Sequence, residues 1–389
     1  MKLATRCVQL GRGDEAHGAI VPPIYQTATF EQPTATEFGE YDYTRSGNPT
    51  RTLLEAQLAD LEGAHHACAF ASGMAALTAL MRIVKGGEEI IAGDDLYGGT
   101  VRLLDRIASH QNISVRHVDM TKMDELKQAV TGRTRLLLVE TPSNPLFRIS
   151  DIRALATIAK ETGAYLAVDN SMLSPVFQQP LSFGADIVVH SATKFLCGHS
   201  DVTAGALITN DPVLQQQFAF QQNAEGAGLS PFESWLLLRG LKTLALRVER
   251  QNASAQKIAR FLQTRAEVTH VFYPGLAQHS GHEIHHKQAS GSGAVISFTT
   301  GDEKLSAAIV EATRLFKVAV SFGSVGSTIS LPCRMSHASI PGALRDRLAP
   351  PPDLVRLSVG IEDVNDLIVD LERAFAANSR EEQLEEMCQ

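Results

Sequence analysis

From about Thr50 onward, short β-branched or apolar runs alternate with amphipathic stretches. Parallel strands must be joined by a crossover, and an amphipathic helix is the usual one, so this rhythm predicts an α/β fold with a mostly parallel central sheet covered by helices. The expected strands are ACAFAS (67–72), EEIIAG (88–93), ISVRHV (113–118), TRLLLVE (134–140), AYLAVDN (164–170), DIVVHSA (186–192) and TAGALIT (203–209). Thr52-Leu-Leu-Glu55 reads as a capping box opening a helix with Leu54, Leu58 and Leu61 on one face and Gly63 at its end. Another helix is expected from Asp151 to Thr162, with Ser150 as its N-cap.

The rhythm changes after the Gly-rich stretch at 223–231. A long helical region (232–265) then leads into a smaller α+β part, with strands in GAVISFTT and DLVRLSV and helices at 302–316 and 363–376. The expected organisation is an extended N-terminal arm (1–46), a main domain (47–247), a C-terminal α+β domain (248–378) and an acidic, solvated tail (379–389).

Composition removes several function classes. The net charge of -8, with scattered Lys and Arg, provides no basic stripe for nucleic-acid phosphates. No apolar run approaches the ~20 residues of a membrane helix, and the N-terminus lacks the apolar core of a signal peptide. Cys7, Cys68, Cys197, Cys333 and Cys388 are odd in number and form no CxxC pair, which argues against a disulfide framework or a zinc cage. The expected setting is the reducing cytoplasm, with no membrane and no nucleic-acid partner.

Ligands of open parallel sheets bind beyond the C-terminal strand ends. Three groups fall there. Ser72-Gly73-Met74 opens a helix, where unpaired amides and the helix dipole can hold a phosphate, although an ordinary capped helix start has the same sequence. Asp169 emerges from an apolar strand, either as a turn residue or as a carboxylate held against a cation. Ser191, Thr193 and Lys194 follow the strand DIVVH; the lysine either snorkels to water or, desolvated, serves as an imine-forming nucleophile. A phosphate seat, an acid for a pyridinium nitrogen and a Schiff-base lysine together suit pyridoxal phosphate.

Seven segments carry a family resemblance: YDYTRSGNPTR (41–51), SGMAA (72–76), GDDLYGGT (93–100), ETPSNP (140–145), VDNS (168–171), HSATKFLCGHSD (190–201) and VRLSVGIED (355–363). They resemble, in order and over nearly the whole chain, the Cys/Met-metabolism family of pyridoxal-phosphate enzymes. The resemblance implies the aspartate-aminotransferase-like fold (fold type I), with 47–247 as the cofactor-binding domain. It implies Lys194 as the imine-forming residue and Cα proton carrier, Asp169 as partner of the pyridine nitrogen, and Tyr97 stacked on the ring and active in proton transfer. Gly73, Met74, Ser191 and Thr193 would hold the phosphate, and Tyr43 and Arg45 would reach it from a neighbouring subunit. Arg356 would grip the substrate α-carboxylate, with Asn144 and Ser321 in support. A homo-oligomer follows, at least a dimer and by family likeness a tetramer.

Members acting at the γ-carbon commonly carry a glutamate in an AESLGG segment, where AVSFGS here places Val320, and methionine-cleaving γ-lyases carry a cysteine where Gly99 stands. These departures favour β-elimination, with cystathionine as the expected substrate in methionine biosynthesis. The alternatives are γ-elimination, γ-replacement, sulfhydrylation of an activated homoserine, or an inactive ligand-binding homologue. His282-Glu283-Ile284-His285-His286 matches HExxH, but its flanking glycines and serines and the lack of a third ligand argue against a zinc site; the resemblance implies a His-rich polar loop here, and no metal is expected. His190 and His199 read as structural neighbours of the lysine.

Overall fold

A computed structural model describes residues 1–9, 17–338, 340 and 342–387. The seven expected strands all form, as β1 (His66–Phe70), β2 (Glu89–Gly93), β3 (Ser114–Val118), β4 (Thr134–Glu140), β5 (Tyr165–Asp169), β6 (Ile187–His190) and β7 (Gly205–Thr209). They make one sheet in the order β1-β7-β6-β5-β4-β2-β3. Every ladder is parallel except the two made by β7, which runs antiparallel to β1 and β6.

The central strands are apolar throughout because helices cover both faces. Val188, Ala206 and Ile208 face one side with Leu54, Leu58 and Leu241, while Ile187, Val189 and Leu207 face the other with Leu77, Leu80 and Phe218. Burying each large aliphatic contributes roughly 1.5–3 kcal/mol. A second sheet contains β8 (His270–Phe272), β9 (Val295–Thr299), β10 (Lys317–Val318), β11 (Thr328–Ser330) and β12 (Val355–Ser358), ordered β10-β11-β12-β9-β8. Val295, Phe298 and Leu357 of this sheet share one apolar cluster with Leu237, Leu241 and Ile258, so the two sheets are joined through the helices Pro231–Leu241 and Leu244–Gln263.

Two expected helix starts are displaced. The first helix of the main domain begins at Pro49, three residues before Thr52, because Asn48 Oδ1 accepts the Thr50 N–H at 2.9 Å and Pro49 favours the first helical position. The helix Ile152–Thr162 is capped by Asp151, whose Oδ1 accepts the Ala154 N–H at 3.1 Å, and not by Ser150. The short helix Leu3–Val8, with Cys7 buried, occurs inside the expected arm; six residues are too few for periodicity to announce it. The rest of the described arm is extended and tied down locally, with Pro22 O accepting the Trp235 Nε1–H and Tyr25 O accepting from Asn48 Nδ2, both at 2.9 Å. At the other end, the helix Val364–Met387 runs past the expected end at 376 into the acidic stretch, and Cys388 lies outside the described residues.

Candidate active site

A cavity of about 430 Å³ opens where β4, β5 and β6 end. Its lining includes Gly73, Met74, Tyr97, Asn144, Asp169, Ser191, Thr193, Lys194, Ser321 and Arg356, so ten of the twelve predicted site residues meet in one place.

At one side stands the N-terminus of the helix Gly73–Met81. Ser72 Oγ accepts the Ala75 N–H at 3.0 Å, and Ser72 O accepts that of Ala76 at 3.1 Å. The amides of Gly73 and Met74 precede these bonds at the positive end of the helix dipole. This turn fits only because β7 starts with Gly205: a Cβ there would overlap Ser72 O and lie 2.8 Å from Gly73 Cα. Ser191 packs on Gly73, while the Thr193 hydroxyl is engaged with Ala204, donating to its carbonyl at 3.1 Å and accepting its N–H at 2.9 Å.

Asp169 ends β5 and accepts the Ser171 N–H at 2.9 Å; burial pushes its carboxyl up, while Ser171, His190 and Lys194 pull it back. Behind it, His190 Nε2 lies 2.6 Å from Glu62 Oε1 with both side chains buried, which gives His190 a structural partner rather than a place in the cavity. His199 Nδ1 is 2.8 Å from Cys197 O. Lys194 follows β6, and its Nζ donates to Ser321 Oγ. Burial, and then Arg356, lower this amine to about 8, against the opposing pull of Asp169 and Glu140. Ser321 itself has a φ of 84°, a left-handed backbone costing about 1–3 kcal/mol, held where it touches the lysine.

Arg356, in the middle of β12, is 2% exposed. Its Nη1 donates to Asn144 Oδ1 at 2.7 Å and its Nη2 to Ser321 O at 3.1 Å. Burial lowers the guanidinium to about 10, which still leaves it charged at neutral pH. Asn144 O in turn lies 3.1 Å from Nε2 of buried His337, whose ring meets Tyr97 edge-on at 6.3 Å. Burial and the charge of Arg356 lower His337 to about 4, so it is neutral in this role.

Tyr97 precedes the helix Gly98–Leu103, and Gly99 allows its ring to lie back: a Cβ at 99 would overlap Tyr97 Cε1. Val320, at the cavity rim, is 58% exposed. Tyr43 and Arg45 do not line this cavity; both are exposed, with the Arg45 guanidinium 5.6 Å from the Tyr43 ring centre.

Sequence reasoning passed over two residues here. Glu140 stood out only as the end of the strand TRLLLVE and the first letter of ETPSNP, with no role attached, and His337 carried no signal beyond its neighbourhood. Their roles depend on the pairing of β4 with β5 and on a loop returning from 332–338, neither of which has a local signature. The HExxH stretch forms the helix His282–Gln288 and not the expected loop, and its histidines bond to the backbone: His282 Nδ1 is 2.8 Å from Pro274 O and buried His285 Nε2 is 3.0 Å from Gly291 O. No group of three metal-ligating side chains occurs among the described residues.

Comparison with known proteins identifies the family. Residues 4–376 match the model of the Cys/Met metabolism PLP-dependent enzyme family. The chain is 52% identical over 373 residues to a chloroplastic cystathionine beta-lyase of Arabidopsis thaliana, covering 96% of this chain and 80% of that one. It is 50% identical over 375 residues to a cystathionine beta-lyase of Neurospora crassa, covering 96% and 81%. The crystal structure of cystathionine gamma synthase from Xanthomonas oryzae pv. oryzae in complex with cystathionine superposes with a TM-score of 0.94 at 40% identity, covering 97% of this chain and 98% of that one. Matched by the family model over nearly its whole length and by relatives about half identical to it, the chain belongs to the Cys/Met metabolism family of pyridoxal-phosphate-dependent enzymes.

Proposed function

We propose that this enzyme is a carbon–sulfur lyase that cleaves cystathionine by β-elimination, releasing homocysteine, pyruvate and ammonia. The observation that carries the reading is the convergence of a desolvated Lys194, a half-buried Asp169 and a forked Arg356 on one cavity, in a chain about half identical to two cystathionine beta-lyases.

The residues present fit the cofactor. Gly205 leaves room for the Ser72–Gly73 turn, and the amides of Gly73 and Met74, with the Ser191 hydroxyl, form a seat for a phosphate. Thr193 would join them by exchanging its bond to Ala204. Asp169, a half-buried carboxylate, would accept a hydrogen bond from a pyridinium N–H and keep that nitrogen protonated, and Tyr97 would cover the ring. Pyridoxal phosphate, when bound, supplies an electron sink for charge developing at the substrate Cα.

Arg356 forks the substrate α-carboxylate, oriented by Asn144 and Ser321, and so presents Cα to the lysine. Lys194, lowered to about 8, is a sufficiently weak base to take the Cα proton and give it up again near neutral pH. Loss of that proton and of the Cβ–S bond frees the thiol product, whose sulfur is reprotonated in the cavity; the three-carbon remainder hydrolyses to pyruvate and ammonia. Val320, in place of a rim glutamate, and Gly99, under Tyr97, favour this outcome over chemistry at Cγ.

Tyr43 and Arg45, exposed and away from their own cavity, would complete the phosphate seat of a second subunit, in a dimer that pairs into a tetramer. The reading places the enzyme in methionine biosynthesis in the cytoplasm; no helix among the described residues is long and apolar enough to cross a membrane.

Product analysis tests the assignment. Purified holoenzyme given cystathionine should yield homocysteine and pyruvate in equal amounts, and cysteine with 2-oxobutyrate would instead establish γ-elimination. Borohydride treatment should fix the cofactor on Lys194 in peptide maps, and label on any other lysine would overturn its role.

A further inference from the structure

Glu140 ends β4 opposite Asp169, which ends β5 in the same parallel ladder. Paired residues of a parallel ladder point to the same side of the sheet, and both side chains line the cavity. Glu140 is 6% exposed, and its hydrogen bond among the described residues is the one it accepts from the Tyr97 N–H at 3.2 Å. The charged groups around it are Asp169 on β5, Asp95 after β2, Arg356 on β12 and Lys194 after β6. Burial first, and then Asp169 and Asp95, push its carboxyl well above the usual range, against the Tyr97 amide and Arg356.

Two carboxylates side by side in a dry site do not both ionise without a cation between them. Asp169 has the better claim to the charge, with the Ser171 N–H at 2.9 Å and His190 and Lys194 nearby. We propose that Glu140 is a positioning residue that works as a neutral carboxylic acid, anchoring the backbone of Tyr97 while leaving Asp169 as the anion of the pair. The inference rests on the family's cofactor and on the places of Tyr97 and Asp169, not on which sulfur substrate is cut.

The sign of the electrostatic effect provides the test. An ionised Glu140 would favour the protonated state of the lysine site, so its removal would lower the pH midpoint of the cofactor's visible absorbance; removal of a neutral acid would leave that midpoint unmoved. Wild-type, Glu140→Gln and Glu140→Ala holoenzymes are therefore titrated by absorbance, and infrared difference spectra are recorded at neutral pH.

Glu140→Gln, an isostere of the neutral acid, should keep the wild-type midpoint, lose one carboxylic-acid carbonyl band and hold kcat within about threefold. Glu140→Ala, without the Tyr97 anchor, should lose roughly tenfold in kcat, the effect of one buried hydrogen bond. A midpoint about a unit lower in Glu140→Gln, or no lost infrared band, would overturn the neutral state. Wild-type kcat in Glu140→Ala would overturn the anchoring role. If the alanine variant fails to fold, the glutamine variant still decides the protonation state by both spectra. A wild type that titrates normally but makes no pyruvate from cystathionine would overturn the proposed substrate and leave this inference intact.

Discussion

Replacing Arg356 separates charge from geometry in the proposed carboxylate grip. Arginine offers five donors in a planar fork, and Asn144 Oδ1 and Ser321 O each take one, which fixes the plane of the rest toward the cavity. Arg356→Lys keeps the charge but loses the second arm of the fork and leaves Asn144 Oδ1 without its 2.7 Å donor. One charge-assisted hydrogen bond is worth about 1.5–3 kcal/mol, so kcat/KM should fall roughly 10- to 150-fold. Arg356→Ala removes the charge as well, and breaking a buried pair costs about 3–5 kcal/mol, or on the order of 100- to 5000-fold.

The α-carboxylate keeps its charge throughout the reaction, so most of the loss should fall on KM. The assay is pyruvate release against cystathionine concentration, paired with a cystathionine analogue whose α-carboxylate is an amide. With the carboxylate substrate the variants should be impaired as stated; with the amide, wild type and Arg356→Lys should be nearly equal. If Arg356→Lys stays within about threefold of wild type on the carboxylate substrate, or loses as much on the amide, Arg356 does not hold that group.

Two further outcomes follow from the cavity's electrostatics and packing. Burial lowers Lys194 from its ordinary 10.5 to about 8, so the cofactor-free folded state carries a penalty that is full below pH 8 and fades as pH rises to 10.5. In urea unfolding of cofactor-free protein, Lys194→Met should gain about 2–3 kcal/mol at pH 7, after about 1 is lost with the bond to Ser321, and the gain should fall with rising pH and turn into a loss of up to about 1 kcal/mol near pH 10.5; an equal gain at both ends of that range would refute the burial penalty. Gly205→Ala should push β7 off the Ser72–Gly73 turn and weaken cofactor binding by at least about tenfold in equilibrium dialysis, with most of the fold's Tm retained; unchanged affinity would refute the close approach as part of the phosphate seat.

Much of this molecule is legible in the chain. The seven strands of the large sheet are apolar runs bounded by turns and emerge at nearly their expected limits, because burial on both faces leaves a strong signal. Lys194, Asp169 and Ser72-Gly73-Met74 were found because strand ends are where parallel sheets bind ligands. Less legible is whatever depends on pairing between distant segments. The antiparallel direction of β7 has no local mark, and the two- and three-residue strands β10, β11 and β8 are too short for a period. The Asn48 cap was missed because Thr52-x-x-Glu55 offered a better-known pattern one turn inside the helix. Glu140 and His337 become informative only once Tyr97 is seen between them.

The proposed grip on the carboxylate has a mechanical side. Arg356 and Ser321 belong to the smaller sheet and its connections, whereas Asn144 and Lys194 hang from the larger one, and the bonds Arg356–Asn144 and Lys194–Ser321 cross between them. The substrate's carboxylate would thus be a rivet between two halves of the molecule. By reciprocity, whatever free energy the rivet gives to their union is returned as affinity, so a change that loosens the seam far from the cavity is felt first as a weaker hold on amino acids.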